Sequence, residues 1–251
     1  MNLIILTPYD CIGGDSYRVD DNRAEHIITI LKLTPGDYLE IGFVNGPQGR
    51  GRIESITDGV VSVVAEDMST IPPVLPEINL ICALPRPQTL KKVLITSAMM
   101  GVCSLHLVRA NRVEKSYFQS PLIEAENQFR YLVEGLAQGK LTRLPEVIVH
   151  DRFRPFFEDF LPKLESTHKT PLLKLLADGD ESNLLYTVCD GHESRIALAI
   201  GPEGGWVPFE IELMQSVGFR RFTLGRWTLR VEHAVTAALS QIELLRLRQS
   251  D

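Results

Sequence analysis

The chain has 251 residues, of which 44% are hydrophobic, and carries 26 Lys and Arg against 32 Asp and Glu for a net charge of −6. That length allows one large domain or two modest ones, with the composition of a packed globular protein. The charge excludes a uniformly basic nucleic-acid binder, and no apolar run is long enough to span a bilayer. The average conceals a pattern: residues 1–72 carry −6, residues 73–174 carry +4 and residues 175–251 carry −4. Arg86, Lys91, Lys92, Arg109, Arg112 and Lys115 concentrate positive charge in the middle. Such a cluster reads either as a solvated helix face or as a local phosphate-binding surface, which needs no basic protein around it. The four cysteines, Cys11, Cys82, Cys103 and Cys189, form no C-x-x-C pair. This disfavours a zinc site or disulfide framework, so no metal is expected, and it suits a reducing cytoplasm.

Met1 to Tyr9 is apolar without a basic leader or cleavage signature, and reads as a strand. A short helix is expected over Arg23 to Leu31, with Asp21 or Asn22 as N-cap. Tyr38 to Val44 and Gly59 to Ala65 are β-rich runs, separated by turn chemistry at Asn45-Gly46, Gly49 and Gly51. Residues 1–70 therefore suggest a small β-barrel. Ile71-Pro72-Pro73-Val74-Leu75-Pro76 can continue neither a helix nor a central strand, and residues 71–77 read as a stiff connector.

From residue 78 to 251 the pattern alternates. Strands are expected at Ile78 to Leu84, Leu105 to Val108 and Glu146 to Val149. Helices are expected at Gln88 to Met100, closed by Gly101, at Ser120 to Gln138, with Pro121 in its first turn, and at Pro155 to Leu164. Leu172 to Leu176 and Leu184 to Cys189 are further apolar runs, and a final helix spans Glu232 to Arg248. Alternating strands and helices predict an α/β fold with a parallel sheet covered on both faces. The apolar face of the last helix suits the protein's own sheet, and Ala234, Ala237 and Ala238 would also permit close packing on a second subunit.

Two glycine-bearing loops follow the last two strands. Ile196 to Ile200 runs into Gly201-Pro202-Glu203-Gly204-Gly205-Trp206, and Arg221 to Leu224 runs into Gly225-Arg226-Trp227-Thr228-Leu229-Arg230. Loops this close can build one pocket at the carboxyl ends of parallel strands, where open α/β sheets bind ligands. The glycines read as a tight turn or as a backbone left bare for a ligand. Pro208 fits a first helical position, and Glu210 and Glu212 then oppose a phosphate at that helix end. G-x-x-x-x-G-K-[ST] and G-x-G-x-x-G are both absent, so a neutral or cationic ligand with an adenine ring fits better than a polyphosphate. Arg230 could orient a base or phosphate and Glu232 could accept a proton; alternatively the two form an ion pair at a helix start. The six histidines form no nucleophile signature.

Gly201-Pro202-Glu203-Gly204-Gly205, with Leu224-Gly225, Leu229-Arg230, Glu232 and Ala234, resembles the signature of SPOUT-class RNA methyltransferases. More closely, the chain is similar to the family that methylates N3 of a uridine in 16S ribosomal RNA. Leu33-Thr34-Pro35-Gly36-Asp37, Leu84-Pro85, Gly101-Val102, Arg112, Glu134, Gln138 and Leu144-Pro145-Glu146-Val147 extend the likeness along nearly the whole chain. The resemblance implies an α/β SPOUT-type parallel sheet with a C-terminal trefoil knot, preceded by a small PUA-like β-barrel that binds RNA. It also implies a homodimeric, cytoplasmic enzyme using S-adenosyl-L-methionine on 16S ribosomal RNA of the small subunit. Ile200, Gly201, Gly205, Leu224, Gly225 and Leu229 would line the cofactor, and Arg230 and Glu232 would act on the target base. Arg86, Lys91, Lys92 and Arg112 would bind the RNA. The chain departs from the family pattern at Thr96 and Met99, at Gly139-Lys140-Leu141, and at Val231 and His233. Those departures leave open a related methyltransferase acting on another RNA, such as transfer RNA, or a non-catalytic ribosome-assembly protein.

Overall fold

The sequence folds into two units in the computed structural model, which describes residues 3–73, 75–166, 168–179 and 182–249. Val74, inside the proline-rich connector, lies outside the described residues, as do both chain ends. The first unit comprises residues 1–74 together with 133–144, and the second comprises 75–132 and 145–251.

The first unit contains β1 (Ile4–Leu6), β2 (Cys11–Gly13), β3 (Ser16–Val19), α1 (Asn22–Glu25), β4 (Tyr38–Phe43), β5 (Gln48–Thr57) and β6 (Val60–Thr70). They form one six-stranded sheet in the order β1-β4-β5-β6-β3-β2, with β1 and β4 parallel and the other pairs antiparallel. Alternating residues Leu39 and Ile41, and Val61 and Val63, join Ile4, Leu6, Ile53 and Ile27 in its core. Asp21 caps α1 by accepting the Arg23 N–H, and the helix continues as a π turn over His26–Ile30. Gly49 sits at a register shift between β5 and β6, where a Cβ would come within 1.6 Å of the Asp67 carbonyl oxygen. Only glycine allows so close a backbone approach.

Residues 133–144 belong with this unit through backbone pairing. The Leu3 N–H donates to Ala137 O, the Asn45 N–H donates to Thr142 O, and the Thr142 hydroxyl donates to Gly46 O. Helical periodicity places a face but does not say which sheet that face meets, so the sequence could not assign this segment.

The second unit contains β7 (Glu77–Ala83), α2 (Pro87–Met99), β8 (Ser104–Val108), the start of α3 (Ala125–Gly139), β9 (Glu146–His150), α4 (Phe153–Pro155), α5 (Leu161–Ser166), β10 (Leu173–Ala177), β11 (Arg195–Ile200), α6 (Pro208–Ser216), β12 (Arg220–Phe222) and α7 (Val231–Gln249). Its six strands are all parallel, in the order β12-β10-β11-β7-β8-β9. Every residue of β8 and β11 is buried, as expected for strands covered on both faces. The chain lays β7, β8 and β9 outward to one side, then returns to build β10, β11 and β12 on the other. The strand order therefore reverses at the β11–β7 boundary.

One expected element differs. Ser120 starts no α-helix: its hydroxyl accepts the Leu122 N–H and caps a 3₁₀ turn over Pro121–Ile123, and α3 begins only at Ala125. The apolar run Leu184 to Cys189 carries a 3₁₀ turn at Leu185–Thr187, whose Leu185 is buried.

A polar chain crosses β7, β8 and β9. The buried Arg195 guanidinium pairs with both oxygens of Glu77, and Asn79 donates to Glu77 Oε1. The Ser104 hydroxyl donates its one proton to Asn79 Oδ1 at 2.6 Å and lies 2.9 Å from His106 Nε2. His106 Nε2 must therefore carry a proton, which leaves its Nδ1 as the acceptor of His150 Nε2–H at 3.2 Å. Phe156 and Phe160 pack on both imidazoles. Every hydrogen bond on this path has one direction, and a second proton on His106 would set two donors face to face.

Candidate active site

The carboxyl ends of β10, β11 and β12, neighbours in the sheet, open into three loops that surround one cavity of about 390 Å³. Ala177 to Gly179 follow β10, Ile200 to Trp206 follow β11, and Thr223 to Leu229 follow β12; Arg112, Ile211, Val231 and Ala234 complete the lining. The volume falls in the ordinary range of a small-ligand pocket.

The glycine loop has three different uses for its glycines. The Gly205 N–H closes a turn on Pro202 O at 2.8 Å, with φ of +73° at Gly205. Gly201 lies against the Trp206 indole, and a Cβ there would stand 3.1 Å from Nε1 and 3.2 Å from Cε2. At Gly204 a Cβ would meet Arg112 Cδ at 3.0 Å, and Arg112 Nη1 donates to the Gly204 carbonyl. The Trp206 side chain is buried at 7% exposure, and among the described residues its Nε1–H has no hydrogen-bond partner. Downstream, Glu210 in the first turn of α6 accepts the Val207 N–H at 2.9 Å and the Asn111 N–H at 2.6 Å. A buried carboxylate thus occupies the amino end of α6 and ties it to the loop after β8. This arrangement disfavours a phosphate at that helix end.

The loop after β12 is held at its base. Thr223 Oγ1 donates to Gly225 O at 3.0 Å, Gln241 of α7 donates to Leu224 O, and Gly225 adopts φ of +126°. Asp178, on the cavity wall, pairs with Arg221 at 2.8 Å. The wall therefore offers backbone groups, two ion-paired carboxylates, the arginines Arg112 and Arg226, and aromatic surface. No lysine is among its lining residues.

Ile200, Gly201, Gly205, Leu224, Gly225 and Leu229 all line this cavity. Arg230 and Glu232 do not; they alternate with lining residues Leu229, Val231 and Ala234. Arg230 is exposed. Glu232 is 6% exposed and accepts from Lys92 Nζ of α2 at 3.0 Å. An ion pair at this helix start does form, but its cation is Lys92. Burial by itself would raise the Glu232 carboxyl; its own backbone N–H, the Lys92 ammonium and His233 outweigh that and hold it below the ordinary glutamate range.

Of the central cations, Arg86 and Arg112 meet the glycine loop, Lys92 meets the start of α7, and Lys91 turns to α3. Arg86 lies 3.6 Å from Glu203 of the glycine loop, Arg112 braces Gly204, Lys92 holds Glu232, and the Lys91 ammonium sits 5.7 Å over the Tyr131 ring. Sequence reading overlooked Asp178 and Trp206 as cavity residues. Asp178 directly follows an apolar strand, a detectable signal; the packing of Trp206 on Gly201 had none. The pairing of His106 with His150 was equally hidden, since 43 residues separate the two in the chain.

A family model described as an RNA methyltransferase domain matches residues 73–243. The chain is 32% identical over 248 residues to the ribosomal RNA small subunit methyltransferase E of Treponema pallidum, covering 96% of this chain and 90% of that protein. It is 25% identical to ribosomal RNA small subunit methyltransferase E 1 of Borreliella burgdorferi, covering 95% of each. Among solved structures, a methyltransferase of Legionella pneumophila in complex with SAM superposes with a TM-score of 0.75 at 21% identity, covering 97% of this chain and 98% of that one. The Neisseria gonorrhoeae ribosomal RNA small subunit methyltransferase E bound to S-adenosyl methionine gives 0.73 at 20% identity, covering 98% of each. At these identities the structures establish a shared fold.

Proposed function

We propose that this chain, which belongs to the RNA methyltransferase family of ribosomal RNA small subunit methyltransferase E, uses S-adenosyl-L-methionine to methylate N3 of a uridine in 16S ribosomal RNA. The observation that carries the proposal is the single cavity formed by three adjacent strand ends. Its lining includes all six residues that the family resemblance assigns to the cofactor. The fit is chemical as well as spatial. Gly201 leaves backbone bare against an indole whose N–H lacks a partner among the described residues, and the wall sets the carboxylates of Asp178 and Glu203 beside Arg112 and Arg226, with no lysine. A neutral or cationic ligand with an adenine ring suits that wall better than a polyphosphate.

When bound, the cofactor supplies an electrophilic methyl group. The protein's task is to bring an unpaired uracil to it and to manage the N3 proton. Arg230, exposed beside Leu229, stabilises the anionic uracil. Glu232 takes up the proton directly or through water. Lys92 helps hold the Glu232 carboxyl low, which weakens it as a base, so charge stabilisation by Arg230 carries the larger share. Arg86, Lys91, Lys92 and Arg112 bind RNA phosphates, with Arg86 and Arg112 also bracing the glycine loop.

The first unit acts as a PUA-like RNA-binding barrel over residues 1–70, joined by 71–77 to a SPOUT domain over 78–251 with a trefoil knot. The enzyme is a cytoplasmic homodimer acting on the assembled small subunit. Support for the dimer comes from α7, which presents Leu244 and Leu247 to solvent at 59% and 57% exposure. Deleting the gene and mapping modified nucleotides in small-subunit RNA tests the assignment: loss of one N3-methyluridine is expected, and an unchanged map excludes it. Arg230→Ala and Glu232→Gln should each lower turnover while cofactor affinity holds. Wild-type turnover in both would remove them from the mechanism.

A further inference from the structure

The chain has two tryptophans, and both line the cavity. They differ sharply in burial. Trp206 is packed at the base of the glycine loop, whereas Trp227 is 77% exposed at the lip. An indole left so open forgoes the burial that usually offsets its large apolar surface. Among the described residues no ring contact or cation–π contact engages it. Its neighbours define what it suits. Arg226 precedes it and Arg230 follows three residues on, both exposed, and the stretch from Leu224 to Arg230 contains no carboxylate. An apolar ring between two cations matches a nucleobase attached to a phosphate backbone, since every base has a π-face and every link an anion. A second copy seated by the same loop would bring these arginines against their own kind.

We propose that Trp227 is a stacking platform for the target or adjacent nucleobase of single-stranded RNA, with Arg226 holding a flanking phosphate. It is a positioning residue for the proposed methyl transfer and rests on that reading. A uracil taken out of its stack loses the contacts of its neighbours. The indole face replaces them at the mouth of the cavity, while Arg230 remains free to meet the pairing edge.

The test uses the full chain, its Trp227→Ala and Trp227→Phe variants, and small ribosomal subunits from cells lacking the gene. Trp227→Ala should raise the RNA KM roughly 5- to 100-fold, well beyond any change in S-adenosyl-L-methionine Kd, and Trp227→Phe should recover most of the loss. Titration with an eight-nucleotide oligouridine should quench wild-type tryptophan fluorescence, and that quench should vanish in Trp227→Phe, which retains Trp206. An unchanged RNA KM in Trp227→Ala overturns the proposal. So does a cofactor Kd that moves while the RNA KM stands still, or a lighter sedimenting species, which would make Trp227 an intersubunit contact. A wild-type protein that neither binds S-adenosyl-L-methionine nor methylates RNA would instead refute the methyltransferase reading, and the quench would still decide whether bases stack on Trp227.

Discussion

His106 offers a sharp test of the polar chain across β7, β8 and β9. Its ring is buried and neutral, with Nε2–H committed to Ser104 and Nδ1 accepting from His150. Burial, and next the neighbouring His150, pull it from 6.5 down to about 3. The unfolded chain therefore binds a proton near pH 6.5 that the folded chain refuses until about pH 3. Stability falls as the pH drops through that window and is fully retained above it. The limiting slope for one such group is about 1.4 kcal/mol per pH unit. Integrated from pH 6.5 to about pH 4.5, the loss is about 2 kcal/mol, or roughly 4–8 °C in Tm for a chain of this size. His150, also lowered by burial although Asp151 opposes the shift, adds in the same direction. Denaturant unfolding of wild type and His106→Gln at several pH values reads the slope, which is independent of any fixed penalty of the substitution. His106→Gln should flatten it by about one proton. Parallel slopes in the two proteins would refute the buried neutral imidazole.

Two further outcomes concern the site. Gly201→Ala places a methyl 3.1 to 3.3 Å from three atoms of the Trp206 indole. Overpacking of about 1–3 kcal/mol should weaken S-adenosyl-L-methionine by roughly 5- to 150-fold in calorimetry, and an unaltered Kd would show that the loop tolerates a side chain there. Lys92→Met removes the ammonium that holds Glu232 low, so the Glu232 carboxyl should rise. A lowered carboxyl contributes stability above its ordinary value of 4.5, lost as the pH falls through its folded value, and this variant should lose part of that contribution. Its acid limb in a kcat/KM profile should move to higher pH; an unmoved limb would mean that Glu232 does not titrate in the reaction.

The site and the fold were legible to different depths. Local rules located most strands of the second unit, the capped helix at Asp21, Pro208 as the first residue of α6, and the two glycine loops, because turn chemistry and hydrophobic period are written in neighbouring residues. The same rules misjudged Ser120, where a hydroxyl capped a 3₁₀ turn in place of a longer helix. They also could not see that residues 133–144 pack with the first unit.

By itself, the sequence determined a parallel α/β region ending in two glycine-bearing loops, and the resemblance its motif carries picked out six of the residues that line one cavity. Tertiary structure decided the pairings. It joined Lys92 to Glu232 across 140 residues, Arg112 to Gly204 across 92, and His150 to His106 across 44. It also sent one tryptophan under the glycine loop and left the other at the lip. Those outcomes depend on strand order and on which side chains share a face after the sheet reverses at β11 and β7, and no local periodicity encodes that choice.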